Sequence, residues 1–319
     1  MKKPFILHTI TPLAVLTALA VTGTAQAALT FASTFDSTVT SRADSAQIQA
    51  AFHYAENLVS AQYSDNITVR INVGMENNNV AGGSSLFSNN RIVTDYAGVR
   101  NALIGDATSA NDATATGLAN LPVADPSGGA TRWVVPSAQA KALGLITDQS
   151  LFDGDISFGG TTTEWNFNVN NRAQTGLYDF VGTALHEISE VMGRTSQLDN
   201  TGYGFLPFDL FRFTGNGTRG AFSAPLTGVY FSFDNGASNL KNYNDGPPGD
   251  NQDWALGDPN DPFNASSSPG YQRDMTGVDL KVIDVIGYNQ VVPEPSTSIL
   301  AAVGLVGIIL RRKRSQRSA

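Results

Sequence analysis

The sequence predicts an α+β fold, because segments with helical periodicity alternate with short strand-like segments along most of the chain. Apolar residues recur every three or four positions in residues 44–63 and 178–194, as in helices packed on a core. Between them, residues 67–73 alternate apolar and polar side chains, which is typical of a half-buried strand. We therefore expect a twisted mixed sheet with helices packed against it, and a last helix at residues 278–286.

The remaining elements follow from shorter patterns. A helix is predicted at residues 94–106 and a short one at 138–145. The other predicted strands are residues 133–135, 156–158, 206–213 and 228–233, with 163–167 pairing with or extending the second of these. Residues 77–88, 107–119 and 240–265 are rich in Asn, Asp, Gly, Ser or Pro and are expected to be connections. Thr276 and Asp279 form a capping box for the last helix, and Gly287 is its expected stop.

The N-terminal end carries an export signal. Residues 1–27 contain two lysines, a short apolar stretch and Ala25-Gln26-Ala27, the pattern of a secretory signal peptide and its cleavage site. The apolar stretch is too short to span about 30 Å of hydrocarbon, so a membrane anchor is the weaker interpretation. Neither a linker nor a repeat interrupts residues 28–290, and we predict that they form one domain.

The C-terminal end carries a second signal. Pro293-Glu294-Pro295 precedes an apolar run at residues 299–310 and a basic cluster at 311–314. Residues 291–319 resemble the PEP-CTERM sorting tails of bacteria that export proteins alongside extracellular polysaccharide. The resemblance implies recognition and cleavage near Pro-Glu-Pro by an exosortase. A basic cluster after a short apolar span stays on the cytoplasmic side, which suits a transient stop, while a retained single-span anchor is the alternative.

The charge of the central part excludes several partners. The whole chain has a net charge of −8, but seven basic residues and one acidic residue lie in the two ends, so 13 basic and 27 acidic residues remain between them. A net charge of −14 argues against nucleic acid and anionic membranes as partners. There is no cysteine, which excludes disulfides and thiolate metal sites.

The predicted helix 178–194 carries three ionisable side chains among apolar ones. His186 and Glu190 are four residues apart and project from one face, with Glu187 one position further round. The spacing resembles the His-Glu-x-x-His arrangement of zinc hydrolases, with Glu190 in place of the second histidine. We predict His186 and Glu190 as ligands of Zn²⁺ and Glu187 as the general base. The alternative is a solvated helix face on which His186 binds a neighbouring carboxylate.

The order of features also resembles the metzincin clan of zinc metalloproteases. More closely, it resembles a family of exported bacterial metalloproteases with PEP-CTERM tails and the segment HEISEVMGR, here residues 186–194. The resemblance implies a metzincin-like fold, a zinc cofactor and protein or peptide substrates. It further implies that residues 153–159 bind substrate as an added strand and that Met275 lies under the metal. Met275 is equally typical of a core methionine beside a helix cap.

The sequence departs from the metzincin motif at the second and third ligand positions. Glu190 replaces a histidine, and Ser196 stands where the third ligand would be. Of the three histidines, His8 lies in the signal peptide and His53 is predicted at the surface of a distant helix. The third ligand is therefore expected to be a carboxylate.

Three candidates for that ligand remain open. Asp209, in the apolar segment DLFRF, is our first choice, because a buried carboxylate needs a partner. Arg212 in the same segment could be that partner instead. Asp199 is the second candidate, and water or another acid is the third. A separate acidic group is a possible calcium site, although an ordinary solvated loop is the simpler interpretation; its members are Asp245, Asp250, Asp253, Asp258 and Asp261.

Together these patterns favour an exported zinc-dependent endopeptidase, processed by signal peptidase and an exosortase. Its expected location is the cell surface or the extracellular matrix. The main alternative is a non-catalytic matrix or exopolysaccharide-associated protein that keeps a degenerate protease site. A calcium-stabilised binding module is a third option.

Overall fold

The computed structural model describes residues 28–76, 83–129, 132–159, 164–198, 201–223, 227–246 and 249–291. The predicted signal peptide and all but the first residue of the predicted sorting tail lie outside them. The described residues form a mixed α+β fold, which confirms the α+β part of the expected fold class. In this part of the chain, no helix is both long and apolar enough to cross a membrane.

Helices and strands alternate throughout the described part of the chain. The helices are α1 Ser37–Thr40, α2 Ser45–Ser60, α3 Tyr96–Asp106, α4 Ala110–Ala115, α5 Ser137–Ala142, α6 Phe180–Val191 and α7 Gly277–Val285. The strands are β1 Thr30–Phe31, β2 Thr34–Phe35, β3 Thr68–Val69, β4 Ile71–Glu76, β5 Gly83–Phe87, β6 Ile92–Thr94, β7 Trp133–Val135, β8 Gly154–Gly159, β9 Trp165–Asn166, β10 Tyr178–Asp179, β11 Arg212–Gly215, β12 Thr218–Arg219, β13 Tyr230–Phe231 and β14 Lys241–Asn242.

A four-stranded mixed sheet supports the predicted metal helix. Its order is β2-β4-β8-β5, with β2, β4 and β8 parallel and β5 antiparallel. The connection from β2 to β4 runs through α2, since parallel neighbours need a crossover. β4 pairs with β8 over six residues, from Ile71 opposite Gly154 to Glu76 opposite Gly159. Helix α6 packs against α2, β5 and β8.

The pairing of β8 corrects two expectations. Residues 153–159 were expected to offer an edge to substrate, but β8 is hydrogen-bonded on both sides, to β4 and to β5. No edge of β8 is therefore left for an added strand. Residues 77–88 were expected to be a loop, yet residues 83–87 form β5. Their polar sequence gives no strand signal, and the strand exists because β8 supplies a partner.

Three short segments also differ from expectation. Residues 206–213 were predicted as one strand, but Pro207–Phe211 forms a 3₁₀-helix before β11 begins. Residues 163–167 were expected to join the strand before them, whereas β9 pairs in parallel with β10. The connection 107–119 contains α4, which Ser109 and Asp112 stabilise through a capping box. The predicted capping box of α7 is present, with Thr276 accepting from the Asp279 amide.

The C-terminal end of α6 turns back sharply on itself. Gly193 has φ of 115°, and its amide donates to the carbonyl of Glu190 at 2.9 Å. The amide of Arg194 donates to the carbonyl of Ser189 at 3.0 Å. These two bonds form a Schellman motif, which requires the left-handed conformation that glycine adopts most easily. The turn directs Arg194 back along the helix.

A second sheet lies beside an irregular segment that contacts the C-terminal half of α6. The antiparallel sheet has the order β12-β11-β13-β14. Residues 250–264 run beside this sheet, and we call them the acidic segment. Trp254 is fully buried in this segment, and its ring lies 5.2 Å from that of Tyr243 and 5.7 Å from that of Phe231. The apolar burial of Trp254 fixes the segment against the core.

Candidate metal centre

Three side chains with metal-binding atoms converge at α6. His186 Nε2 lies 3.3 Å from Glu190 Oε1 and 3.2 Å from Asp253 Oδ1. The three ligand atoms lie within 4.8 Å of one another. Among the residues that the structure describes, no other group of three or more histidine, aspartate or glutamate side chains meets this criterion.

The helix places two of these ligands and the predicted base in one buried region. His186 and Glu190 are one helical turn apart and face the same way. Glu187 and Glu190 are both buried, and the His186 side chain is only 13% exposed. The predicted ligand pair and the predicted base therefore share one environment, from which water is largely excluded.

The orientation of His186 leaves Nε2 directed at the two carboxylates. Its Nδ1 lies 2.7 Å from the carbonyl oxygen of Pro262, to which it donates a hydrogen bond. Arg273 donates to the same carbonyl through Nη2 at 2.9 Å, which holds that oxygen in place. A backbone carbonyl on one ring nitrogen is the usual support of a histidine that binds a metal through the other.

Asp253 is the candidate ligand that sequence reasoning missed as a partner of His186. Its second oxygen accepts a hydrogen bond from the amide of Asp250 at 3.0 Å, and its carbonyl accepts from the amide of Asn244 at 2.8 Å. The next residue, Trp254, donates from its indole nitrogen to Asp279 at 2.8 Å. The one available signal was that Asp253 precedes a tryptophan in a polar stretch, since a buried aromatic draws its neighbour inward.

Arg194 is the fourth charged group in contact with the ligands. Its guanidinium lies 3.3 Å from Glu190 Oε1 and 3.2 Å from Asp253 Oδ1. Two carboxylates thus face one histidine and one arginine in a buried cluster. Pairing of this kind compensates for the cost of burying isolated charges.

The pKa values reflect this cluster. Burial lowers the pKa of His186, but the charge of Asp253 and hydrogen bonds to Asp253 and Glu190 outweigh it and raise the value to about 10. Burial raises the pKa of Asp253, but His186 outweighs it and brings the value to about 2. Burial and the negative charge of Glu190 raise the pKa of Glu187 to about 8. His186 must therefore release a proton before it can bind a metal.

The donor set fits zinc. Nitrogen and carboxylate oxygen are both zinc ligands, and ligand atoms about 2.0–2.2 Å from a tetrahedral ion lie about 3.4 Å apart. The two carboxylate oxygens lie 3.2 and 3.3 Å from His186 Nε2, close to that value. With a neutral His186, the two carboxylates and Arg194 leave a net charge of −1, the same as a site of two histidines and one carboxylate.

The structure does not bring Asp209 into this group. Its Oδ1 accepts a hydrogen bond from Ser196 Oγ at 2.6 Å and its Oδ2 accepts from the amide of Leu206 at 2.9 Å. Asp209 therefore caps the 3₁₀-helix that follows Leu206. Its predicted partner Arg212 instead donates to the carbonyl of Asn251 at 2.8 Å. The second candidate, residue 199, lies outside the described residues.

The acidic residues proposed for calcium have separate partners in the structure. Asp253 faces His186, whereas Asp261 forms an ion pair of 2.7 Å with Lys241. Asp258 is exposed and accepts a hydrogen bond from the amide of Asn260. Met275, expected near the metal, directly precedes the cap of α7 and packs partly buried against the hydrophobic core.

One comparison with known proteins identifies the C-terminal tail. A family model of the PEP-CTERM protein-sorting motif matches residues 291–314. The chain therefore carries the signal of a secreted protein that an exosortase processes and sorts to the cell surface. No curated protein and no solved structure matches the chain.

Proposed function

We propose that this protein is an exported zinc-dependent hydrolase that cleaves peptide bonds with a metzincin-like site. The observation that carries the proposal is the convergence of His186 Nε2, Glu190 and Asp253, with His186 Nδ1 bound to a backbone carbonyl. His186, Glu190 and Asp253 would hold the ion. Zinc, when bound, activates water and polarises the carbonyl that the water attacks.

The chain's own residues supply the rest of the reaction. Glu187 follows His186 on α6 and would accept a proton from the attacking water and pass it to the leaving nitrogen. The carbonyl of Pro262 keeps His186 in the tautomer that leaves Nε2 available. Burial of Glu187 and Glu190 excludes competing water from the charged groups.

The test combines metal analysis with peptide cleavage by the purified exported protein. We expect one zinc per chain and hydrolysis of a mixed fluorogenic peptide library. Glu187→Gln should lower the cleavage rate at least 100-fold with zinc retained, and His186→Ala should lose the zinc. The matched controls are Glu164→Gln, at an exposed glutamate, and His53→Ala, at a half-exposed histidine on α2.

Two results would overturn this proposal. One is a wild-type protein that holds less than stoichiometric zinc after purification in zinc. The other is a cleavage rate that Glu187→Gln leaves at the level of Glu164→Gln. A contaminating protease is recognised by activity that persists in His186→Ala.

A second candidate function is a non-catalytic matrix or exopolysaccharide-associated protein. The observation that favours it is the ion-pair cluster, in which His186 and Arg194 already balance Glu190 and Asp253. This function predicts a protein that is sorted normally, binds no zinc and cleaves no peptide. The same metal analysis and cleavage assay therefore decide between the two.

A further inference from the structure

Arg194 joins the two carboxylates of the candidate metal centre although they come from distant parts of the chain. Glu190 lies on α6 and Asp253 in the acidic segment, and the fully buried guanidinium contacts both, at 3.3 and 3.2 Å. Arginine has five N–H donors and no acceptor, so it does not itself bind a metal. It brings one positive charge to the pair of carboxylates.

The guanidinium is fixed by contacts outside the ligands as well. Nε donates to Ser189 Oγ at 2.8 Å, and Nη1 donates to the carbonyl of Gln252 at 3.1 Å. The ring of Phe263 lies beneath it, with the guanidinium carbon 4.3 Å from the ring centre. The turn at Gly193 sets the backbone direction that makes these contacts reachable. Movement of the positive charge away from the carboxylates would break several of these interactions together.

We propose that Arg194 is a built-in cation that sets the metal affinity of this site: it holds the two carboxylates together, and its charge opposes a divalent ion. The inference rests on the proposed metal site. Like charges in a buried region repel strongly, because little water screens them. Without Arg194 the two carboxylates would leave a charge of −2 at the site and attract a divalent cation more strongly. Arg194 thus offsets the additional negative charge that Glu190 introduces in place of a histidine.

The test measures zinc affinity in three variants of the exported protein, by competition with a chromogenic chelator. Arg194→Gln removes the charge, and we expect the dissociation constant for Zn²⁺ to fall at least tenfold. Arg194→Lys keeps the charge and should stay within about threefold of wild type. Lys141→Gln is the matched control, since it breaks the buried ion pair of 2.6 Å with Asp153 away from the site.

The outcomes separate this inference from the proposed function. If the wild type binds zinc and Arg194→Gln binds it equally or more weakly, the inference is overturned and the proposed metal site stands. Zinc binding by Arg194→Gln alone supports the inference and overturns the zinc-dependent function. No binding by either folded protein overturns both. If Arg194→Gln does not fold, the Arg194 Nε–H resonance of wild type is followed by NMR during zinc addition. A shifted resonance supports the inference, and an unmoved one overturns it.

Discussion

Helix α6 and the acidic segment both contribute to the candidate metal centre, but they are built in different ways. The helix holds His186 and Glu190 by its own hydrogen bonds, so their relative placement follows from a spacing of four residues. The acidic segment has no regular structure around Asp253, whose position depends on Trp254 in the core and on bonds to distant residues. Local periodicity thus fixes one half of the site, and tertiary packing fixes the other.

The strongest test of this contrast is Asp253→Asn. Because a ligand is lost and both cations lose a partner, we expect zinc affinity to fall about 100-fold or more, beyond the usual effect of a supporting residue. Chelator competition measures the change. Asp258→Asn, in the same segment but exposed, is the matched control and should leave zinc affinity unchanged. Equal affinities in the two variants would remove Asp253 from the site.

The second test acts on the helix end. Gly193→Ala forces a Cβ into a backbone with φ of 115° and 2.8 Å from Gln139 Oε1. We expect a loss of about 3 kcal/mol in the free energy of unfolding, measured with denaturant, and a change in zinc affinity as Arg194 shifts. Gly105→Ala is the control, because nothing lies within 4 Å of its added Cβ and its helix should be slightly stabilised. If Gly193→Ala changed neither the free energy of unfolding nor the zinc affinity, the turn would not be what holds Arg194.

The third test separates Asp209 from the metal centre. Asp209→Asn cannot accept both hydrogen bonds that the carboxylate accepts from Ser196 and Leu206. We expect the free energy of unfolding to fall by about 2 kcal/mol with zinc affinity unchanged. Urea unfolding and zinc titration of the same sample measure both quantities. A stable variant that no longer binds zinc would restore Asp209 as a ligand.

The smallest expected effect concerns a hydrogen bond between Tyr288, which follows α7, and the C-terminal end of α6. Tyr288 donates from its hydroxyl to the carbonyl of Met192 at 2.9 Å, one of the carbonyls at the end of α6. Tyr288→Phe removes the donor and should lower the free energy of unfolding by about 1 kcal/mol. Tyr271→Phe, at an exposed tyrosine, is the control. A loss as large as that of Gly193→Ala would mean that the helix end depends on α7 rather than on its own turn.

The regular parts of the fold could be predicted from the sequence because their periodicity is local. Helices α2, α3, α6 and α7 begin and end within a few residues of prediction, and the caps of α6 and α7 follow from glycines and a capping box. Strand β5 could not be predicted from its polar sequence, because the strand forms by pairing with β8. Residues 206–211 have the apolar composition of a strand, but Pro207 and the Asp209 cap favour a 3₁₀ turn.

The candidate site could likewise be predicted only in part. His186, Glu187 and Glu190 were predicted from one helix, and the shortage of histidines pointed to a carboxylate as the third ligand. Asp209 is the preferred candidate by its predicted burial, whereas Asp253 is grouped with four other aspartates only as a possible calcium site. Only the fold distinguishes them, because Asp253 reaches His186 across 67 residues of chain. The role of Arg194 likewise depends on a contact with that distant residue.

The way the folded body ends has a consequence for sorting. Val291 donates its amide to the carbonyl of Gln62 at 2.7 Å, and Gln290 bridges to Tyr63, so the chain is tied to the end of α2 up to this point. The first proline of the sorting motif is two residues later, and an extended chain covers about 3.3–3.6 Å per residue. The recognition sequence of the exosortase therefore starts, within two residues of chain, beside the surface that holds Val291. The shape and charge of that surface are therefore part of what the sorting enzyme encounters.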